Sequence, residues 1–162
     1  MQTRLRVLGV SALALAMLGI HPGPVRAADT DPVIGTWKLN VAKSKYSPGP
    51  PPSALTVTFA AAGDGLKVTS DVTNAQGKVA HTEYTANYDG KDYPIAGTPT
   101  SDTVSLKRVD VRTSVRTDKK AGKVVATYTR TVSEDGKTLT VLHTSTTDPK
   151  KPVNDLLVLD KQ

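Results

Sequence analysis

Residues 123–146 read KVVATYTRTVSEDGKTLTVLHTST, with alternating segments on both sides of Asp135-Gly136. An Asp-Gly pair between alternating segments is the strongest short-range signal for a β-hairpin closed by a two-residue turn. Such a turn fixes which residues face each other across the two strands. The register places three pairs on the inner face: Val132 with Leu139, Arg130 with Val141, and Tyr128 with His143.

Gly-containing turns recur along the rest of the chain and divide it into further alternating segments. They stand at Asp64-Gly65, Gln76-Gly77, Asp89-Gly90 and Ala121-Gly122. Short alternating segments separated by such turns are typical of an antiparallel meander. The pattern predicts ten strands, at residues 34–40, 54–60, 66–73, 78–88, 92–96, 103–108, 111–117, 123–132, 137–146 and 154–160.

The composition also indicates an all-β fold. Beyond residue 27, Thr, Val and Ile account for 39 of 135 residues, and such β-branched side chains suit a strand better than a helix. Ten short strands in one meander leave exposed edges unless the sheet closes on itself. We therefore predict an antiparallel up-and-down meander closed into a β-barrel of eight to ten strands. Because the inward residues are mostly small, the barrel should enclose a cavity.

The other turns predict the remaining registers. A four-residue loop at residues 61–64 and a three-residue loop around Gln76-Gly77 set two of them. Alternation also puts Val115 and Val124 on the inner face of the seventh and eighth strands. The expected pairs are Phe59 with Leu66, Val72 with Ala80, Tyr84 with Ile95, and Val115 with Ala126.

The first 27 residues have the features of a removable secretion signal. Arg4 and Arg6 precede an apolar run over residues 7–20, and Val25-Arg26-Ala27 has the small residues of a cleavage site. The mature domain would then cover residues 28–162 and be periplasmic or secreted. No second apolar stretch approaches the ~20 residues that a membrane span requires, so we expect a soluble protein with no membrane span.

Charge and cysteine content exclude several classes of partner and site. Removing the three arginines of the signal from the net charge of +6 leaves +3, and the remaining lysines are mostly single. A nucleic-acid partner would need a clustered basic face with interleaved aromatic residues, so none is expected. The absence of cysteine excludes disulfides, thiolate metal sites and a lipid anchor on cysteine.

The segment Ile34-Gly35-Thr36-Trp37-Lys38-Leu39 resembles the first strand of the calycin superfamily, which includes the lipocalins and the fatty-acid-binding proteins. Its Gly-Thr-Trp-Lys-Leu motif is similar to that of the intracellular fatty-acid-binding proteins. Together with Lys43-Ser44-Lys45, the Pro-rich residues 48–52 and Tyr88-Asp89-Gly90-Lys91-Asp92-Tyr93, it looks like a group of small exported bacterial proteins of lipocalin-like type. The resemblance implies a barrel with Trp37 at its floor and a small hydrophobic ligand inside.

The sequence departs from these families at their ligand sites. Fatty-acid-binding proteins place a helix-turn-helix lid between the first two strands, and residues 41–53 with their prolines leave no room for one. Those proteins also hold a ligand carboxylate with a late Arg-x-Tyr, which residues 156–160 lack. The Thr-Asp-Tyr motif and late arginine of the lipocalins are missing too. The ligand site of these families therefore cannot be assigned to this sequence as a whole. The Pro-rich loop at residues 48–52 is expected to be a connector between strands.

The predicted register gathers polar residues on the inner face. Arg130 shares that face with Tyr128 and His143, and Arg108 lies across the preceding tight turn. A guanidinium inside a barrel is costly unless it is paired, and its planar fork suits a carboxylate or a phosphate. These residues would therefore bind the acidic head of an amphipathic molecule.

Each candidate also has a structural interpretation. Arg130 would then lie at a strand end, reach solvent and pair with Glu134 or Asp135. Tyr84 would line the rim of the cavity in the functional interpretation, but it is an ordinary cross-strand aromatic residue in the structural one. Trp37 is a core residue first and a ligand contact second.

Catalysis and metal binding find little support in the sequence. The chain beyond the signal has only His81 and His143, which point to opposite faces by alternation. No Gly-x-Ser-x-Gly motif occurs. Asp29 and Asp31 are expected in a mobile N-terminus. We therefore predict a protein that is not an enzyme, with no catalytic residue, metal or cofactor.

The sequence thus predicts an exported, monomeric binding protein that holds a small hydrophobic or amphipathic molecule inside a β-barrel. Two alternatives stay open. A protein-interaction module, such as an exported protease inhibitor, would use a terminal arm at residues 29–32 or the stiff loop at residues 48–52. A filled barrel would instead have a structural role in the cell envelope.

Overall fold

The computed structural model describes residues 31–145, 148 and 152–162. Within these ranges the chain forms ten β-strands and one 3₁₀ helix, Val41–Lys43. Each strand pairs antiparallel with the next, and the last pairs with the first, so the predicted up-and-down barrel is confirmed. The strands are β1 Gly35–Leu39, β2 Ala54–Ala62, β3 Gly65–Thr73, β4 Val79–Asn87, β5 Tyr93–Ala96, β6 Thr103–Arg108, β7 Thr113–Lys120, β8 Lys123–Val132, β9 Thr138–Ser145 and β10 Val153–Lys161.

The barrel accounts for most of the proposed mature domain. Its strands extend from residue 35 to residue 161. The predicted signal, residues 1–27, lies outside the described ranges, as do residues 28–30. No helix in the described part of the chain is long and apolar enough to cross a membrane.

Turn chemistry explains most of the registers. The Asp135-Gly136 turn aligns β8 with β9 as predicted. Before β4, the Asn74 side chain accepts hydrogen bonds from the backbone N–H groups of Gln76 and Lys78, which stabilises the three-residue loop. Five predicted pairs are confirmed: Val132 with Leu139, Arg130 with Val141, Tyr128 with His143, Val72 with Ala80, and Tyr84 with Ile95.

The register of β2 and β3 differs from the prediction. Their connection is a two-residue turn at Gly63-Asp64, so Phe59 faces Val68 and not Leu66. Gly63 has a φ of +60°, which permits a turn tighter than the four-residue loop expected. Because the difference is an even number of residues, Phe59 and Leu66 both remain buried on the inner face.

The face that β7 turns inward is the opposite of the one predicted. Beyond the tight Ala121-Gly122 turn, the register shifts between Asp118 and Lys119, and Val115 pairs with Thr129 instead of Ala126. An odd shift moves a whole strand's side chains to the other face. The expectation of an inward Val124 is also wrong, since this residue is 53% exposed. The residues that β7 directs inward are polar: Ser114, Arg116 and Asp118.

The apolar core surrounds Trp37. This residue is fully buried, and its indole N–H donates a 2.7 Å hydrogen bond to the carbonyl oxygen of Val33. Each large apolar side chain buried here contributes about 1.5 to 3 kcal/mol. The other large, fully buried side chains of the core are Leu66, Val68, Val104, Leu106, Leu139 and Leu159.

A buried acid precedes β1. The side chain of Asp31 is only 1% exposed and forms an ion pair with Arg108. Its carboxylate also accepts hydrogen bonds from the Tyr88 hydroxyl at 2.7 Å and from the backbone N–H of Val33 at 3.1 Å. The expectation of a mobile terminus is therefore wrong at Asp31, which cannot serve as part of a free arm. Asp29 lies outside the described residues.

Candidate functional site

A cavity of about 470 Å³ lies inside the barrel. Much of its wall is apolar, with Leu55 and Val57 on β2, Val72 on β3, Val141 on β9 and Leu157 on β10. Ten strands enclose more space than side chains of this size can fill, as the sequence predicts. The volume falls within the range of small-molecule sites in proteins.

Arg130 occupies the deep end of this cavity, next to the closed turn between β8 and β9. The residue is 5% exposed, and its Nη2 donates a 2.9 Å hydrogen bond to the hydroxyl of Tyr84. Its guanidinium carbon lies 5.1 Å from the centre of the Phe59 ring. Its Nη1 is buried without a hydrogen-bond partner. Arg130 is therefore a buried cation whose hydrogen-bonding capacity is only partly used.

The structural interpretation of Arg130 is wrong, because both acids expected to pair with it are engaged elsewhere. Glu134 forms an exposed ion pair with Arg112 at 3.1 Å. Asp135 accepts hydrogen bonds from the Ser133 hydroxyl and from the backbone N–H of Lys137. Within the described ranges, no carboxylate forms an ion pair with Arg130.

A second guanidinium in the cavity wall is neutralised by its own carboxylate. Arg116 donates to Asp118 through Nε at 2.5 Å and Nη2 at 2.6 Å, and the Ser101 hydroxyl also donates to Asp118 at 3.3 Å. The guanidinium carbon lies 4.8 Å from the ring of Tyr84 and 4.7 Å from that of Tyr128. Burial lowers the pKa of Arg116, but Tyr84 and Asp118 outweigh it and hold the pKa above its ordinary value. The pair thus adds no net charge to the cavity.

A stacked pair of rings lines the cavity nearer the mouth. The rings of Tyr128 and His143 are parallel within 5°, with centres 4.4 Å apart. Nδ1 of His143 lies 3.1 Å from Oδ2 of Asp155, and since a carboxylate accepts only, Nδ1 carries the donated proton. Asp155 accepts a second hydrogen bond, from the backbone N–H of Ser47 at 3.0 Å. Burial raises the pKa of Tyr128, so its hydroxyl stays protonated at neutral pH.

The loop between β1 and β2 lies at the mouth. Tyr46, Pro48, Pro50 and Pro52 all line the cavity, so the loop is part of its wall as well as a connector. The Tyr46 hydroxyl is buried and has no hydrogen-bond partner. Between β1 and β2 the only helical element is the short Val41–Lys43, which agrees with the expected absence of a helix-turn-helix lid.

Four of the six predicted site residues line the cavity: Arg130, Tyr128, His143 and Tyr84. Arg108 does not, although it faces inward by alternation on β6. Its guanidinium lies 3.9 Å from the centre of the Tyr88 ring and pairs with Asp31, which draws it away from the cavity. Trp37 does not line the cavity either, because it is packed in the core.

The charged and polar groups around Asp31 are paired with one another. Burial raises the pKa of Asp31, but hydrogen bonds from Arg108, Tyr88 and Val33 outweigh it, so the pKa lies below its ordinary value. Burial and the hydrogen bond to Asp31 raise the pKa of Tyr88. Arg108 is therefore committed to Asp31 and is not free to bind an anionic ligand.

Sequence reasoning missed several polar residues of the wall, among them Tyr46, Arg116, Asp118 and Asp155. Arg116 and Asp118 are two residues apart and so lie on one face of β7. The neighbouring Val115 lies on the other face, and because it is apolar, hydrophobic patterning favours that other face as the inner one. Asp155 faces His143 across β9 and β10, so a predicted register for these two strands would have put Asp155 beside His143 in the cavity wall. Tyr46 belongs to a loop, where alternation gives no signal.

The site has the composition of a binding cavity. Its Arg, Asp and His side chains are one unpaired guanidinium and two paired sets, Arg116 with Asp118 and His143 with Asp155, against a largely apolar wall. Among the residues described, no three His, Cys, Asp or Glu side chains are grouped closely enough to hold a metal ion. Such an arrangement suits an amphipathic molecule with one acidic group.

The ten-stranded barrel has a fold that is also found in a solved structure. The chain is similar to the crystal structure of zebrafish ileal bile acid-binding protein complexed with cholic acid, with a TM-score of 0.52. The match covers 81% of this chain and 99% of that one, at 11% sequence identity, so the likeness concerns the fold alone. No protein-family model and no curated protein matches the sequence.

Proposed function

We propose that this chain is an exported binding protein that holds a small amphipathic acid inside its barrel, without carrying out a reaction. The acidic head would lie against Arg130, and the apolar part would follow the wall towards the mouth. The features of residues 1–27 support export to the periplasm or the medium. Intact mass of the exported chain tests that part, with a mature N-terminus at Ala28 as the expected result.

The observation that carries this proposal is the state of Arg130. A buried charge is unfavourable unless it is paired and hydrogen-bonded, yet Nη1 of this guanidinium has no partner, and Arg130 lines the cavity. A carboxylate or a similar anion is the group that a planar guanidinium binds best. Binding would therefore satisfy a group that the side chains of the barrel leave unsatisfied.

The other charges of the wall support a single acidic group. Arg116 is neutralised by Asp118, and His143 already donates to Asp155. A second anion would therefore meet either an occupied guanidinium or a carboxylate. The preferred ligand would carry one negative charge, with the rest of the molecule uncharged.

The fold supports the same proposal. The zebrafish protein has a barrel of this type and was crystallised with cholic acid, which is itself an amphipathic acid. The alternatives gain less support. Asp31 is buried and so is not available in a docking arm, and a purely structural barrel would not need an unfilled interior of about 470 Å³.

Calorimetric titration of the exported protein with dodecanoate and with dodecanol tests the proposal. Because only the acid has a charge to place against Arg130, the wild type should bind it roughly tenfold or more tightly than the alcohol. Arg130→Met should abolish the preference. Arg112→Met removes an exposed arginine and is the matched control, which should keep it. Failure of the wild type to bind either probe, or an unchanged preference in Arg130→Met, would contradict the proposal.

A further inference from the structure

We infer that the mouth of the cavity contains a second polar subsite, formed by Tyr46 and His143, that receives a hydroxyl group of the ligand. The inference rests on the proposed function and narrows the ligand class. The ligand would be a carboxylic acid that also carries a hydroxyl group, at a distance from its acidic head.

The first observation is the unsatisfied hydroxyl of Tyr46. Its oxygen is buried and has no hydrogen-bond partner, and the residue lines the cavity. The neighbouring Ser44 hydroxyl acts to lower the pKa of Tyr46 against the effect of burial, but it donates its own proton to the carbonyl oxygen of Asn40 at 2.7 Å and accepts from the backbone N–H of Val158 at 2.9 Å. A buried hydroxyl without a partner is unfavourable, so a ligand atom that accepts its proton gains binding free energy.

The second observation is the orientation of His143. Its Nδ1 is held by Asp155, which leaves Nε2 as the acceptor of the neutral ring. Within the described ranges, no hydrogen bond engages Nε2. Because this ring also lines the cavity, Nε2 is available to a ligand at the mouth.

Both side chains lie close to Asp155, which accepts from His143 and acts to raise the pKa of Tyr46. Lys45 forms a bridge with Leu156, and the backbone N–H of Ser47 donates to Asp155, so Tyr46 is held beside the acid that orients His143. A free donor and a free acceptor are thereby placed at one end of the cavity.

Only some chemical groups suit such a pair. A hydroxyl accepts a hydrogen bond from Tyr46 and donates one to His143, and so satisfies both. A second carboxylate would be repelled by Asp155, and a methyl end would leave the Tyr46 hydroxyl unpaired. The hydroxyl group is therefore the complement of this subsite.

The subsite lies apart from the place of the acidic head. His143 faces Tyr128, which lies two residues from Arg130 on β8 and nearer the mouth. Two residues of a strand correspond to about 7 Å. The acid and the hydroxyl would thus occupy separate points of one ligand, joined by an apolar segment.

Competition binding with dodecanoic acid and with hydroxydodecanoic acids substituted at different carbons tests this inference. A hydroxyl on an alkyl chain normally weakens burial in an apolar cavity, so tighter binding of a hydroxy acid requires a polar partner. For the wild type, we expect at least one isomer to bind about five- to tenfold more tightly than dodecanoic acid. Tyr46→Phe should bring that ratio close to one.

Two further variants test whether the affinity ratio depends on the proposed subsite. His143→Asn keeps a donor for Asp155 but removes Nε2, so it should also reduce the ratio. Tyr93→Phe makes the same chemical change as Tyr46→Phe on a hydroxyl that donates to Asp89, and it should leave the ratio unchanged. The inference is overturned if no isomer exceeds dodecanoic acid, or if Tyr46→Phe retains the wild-type ratio.

Failure of the subsite is distinguishable from failure of the proposed function. If only the inference is wrong, the wild type still binds dodecanoic acid and Arg130→Met still weakens it, while the hydroxyl has no favourable effect. If the proposed function is wrong, Arg130→Met leaves the binding of every acid unchanged.

Discussion

Arg130 donates a 2.9 Å hydrogen bond to the Tyr84 hydroxyl through Nη2, while Nη1 of the same guanidinium has no partner. The two residues lie on β8 and β4 and meet across the interior of the barrel. The contact fixes one side of the guanidinium and leaves the other side buried without a hydrogen bond. An arginine arranged in this way is better explained by binding than by stability.

Replacing Arg130 should therefore stabilise the empty barrel. Arg130→Met removes a buried charge that no acid neutralises, and this gain should exceed the loss of the Tyr84 hydrogen bond, for a net of about 1 to 2 kcal/mol. Urea unfolding in the absence of ligand measures the change. A clear loss of stability would mean that Arg130 has a structural role instead.

Asp118 should be essential to stability, because Arg116 is buried against it. Asp118→Ala leaves that guanidinium uncompensated and should lower the free energy of unfolding by about 3 to 5 kcal/mol. The double variant Arg116→Met with Asp118→Ala should recover most of the loss. Equal instability of the single and double variants in urea would show that the two side chains are not coupled.

The Asp31 cluster should make stability depend on pH. Because the folded pKa of Asp31 is lowered, its contribution is present above the unfolded value of about 3.9 and is lost as the pH falls through the folded pKa. At pH 7, Asp31→Asn should cost about 2 to 4 kcal/mol. Unfolding curves from pH 7 to pH 3 should show the difference between wild type and variant shrinking below about pH 5. A constant difference would contradict an ionised, paired Asp31.

Gly97 should tolerate no side chain. It follows β5 with a φ of +83°, and a Cβ there would lie 1.9 Å from the carbonyl oxygen of His81. Gly97→Ala should therefore destabilise the barrel by roughly 3 kcal/mol or more. Gly63→Ala is the matched control, with φ of +60° and no atom within 4 Å of the added carbon, and it should cost only about 1 to 2 kcal/mol. Equal thermal stability of the two variants would argue against the close approach at Gly97.

Local rules recovered most of the fold because turn type and alternation agree along this chain. The Asp135-Gly136 turn alone gave the pairing of Arg130 with Val141, which puts the arginine inside the barrel. The error between β2 and β3 was an even number of residues, so it left Phe59 correctly buried.

The same rules could not predict which side chains of β7 face the interior of the barrel. A two-residue turn at Ala121-Gly122 would by itself put Val115 opposite Tyr128 and inside the barrel. The register shift beside Asp118 reverses this, and no residue type in β7 or β8 signals it. Hydrophobic patterning then fails, because the structure buries the Arg116–Asp118 pair in place of a valine.

The central claim is that Arg130 holds an acid inside this barrel. Native mass spectrometry of the protein, purified without detergent from its natural host cells, tests this most directly. The account predicts a bound molecule on the wild type that is released as a singly charged anion, and an empty Arg130→Met chain. A wild type that is empty in every preparation, or a variant that carries the same molecule at the same occupancy, would contradict it.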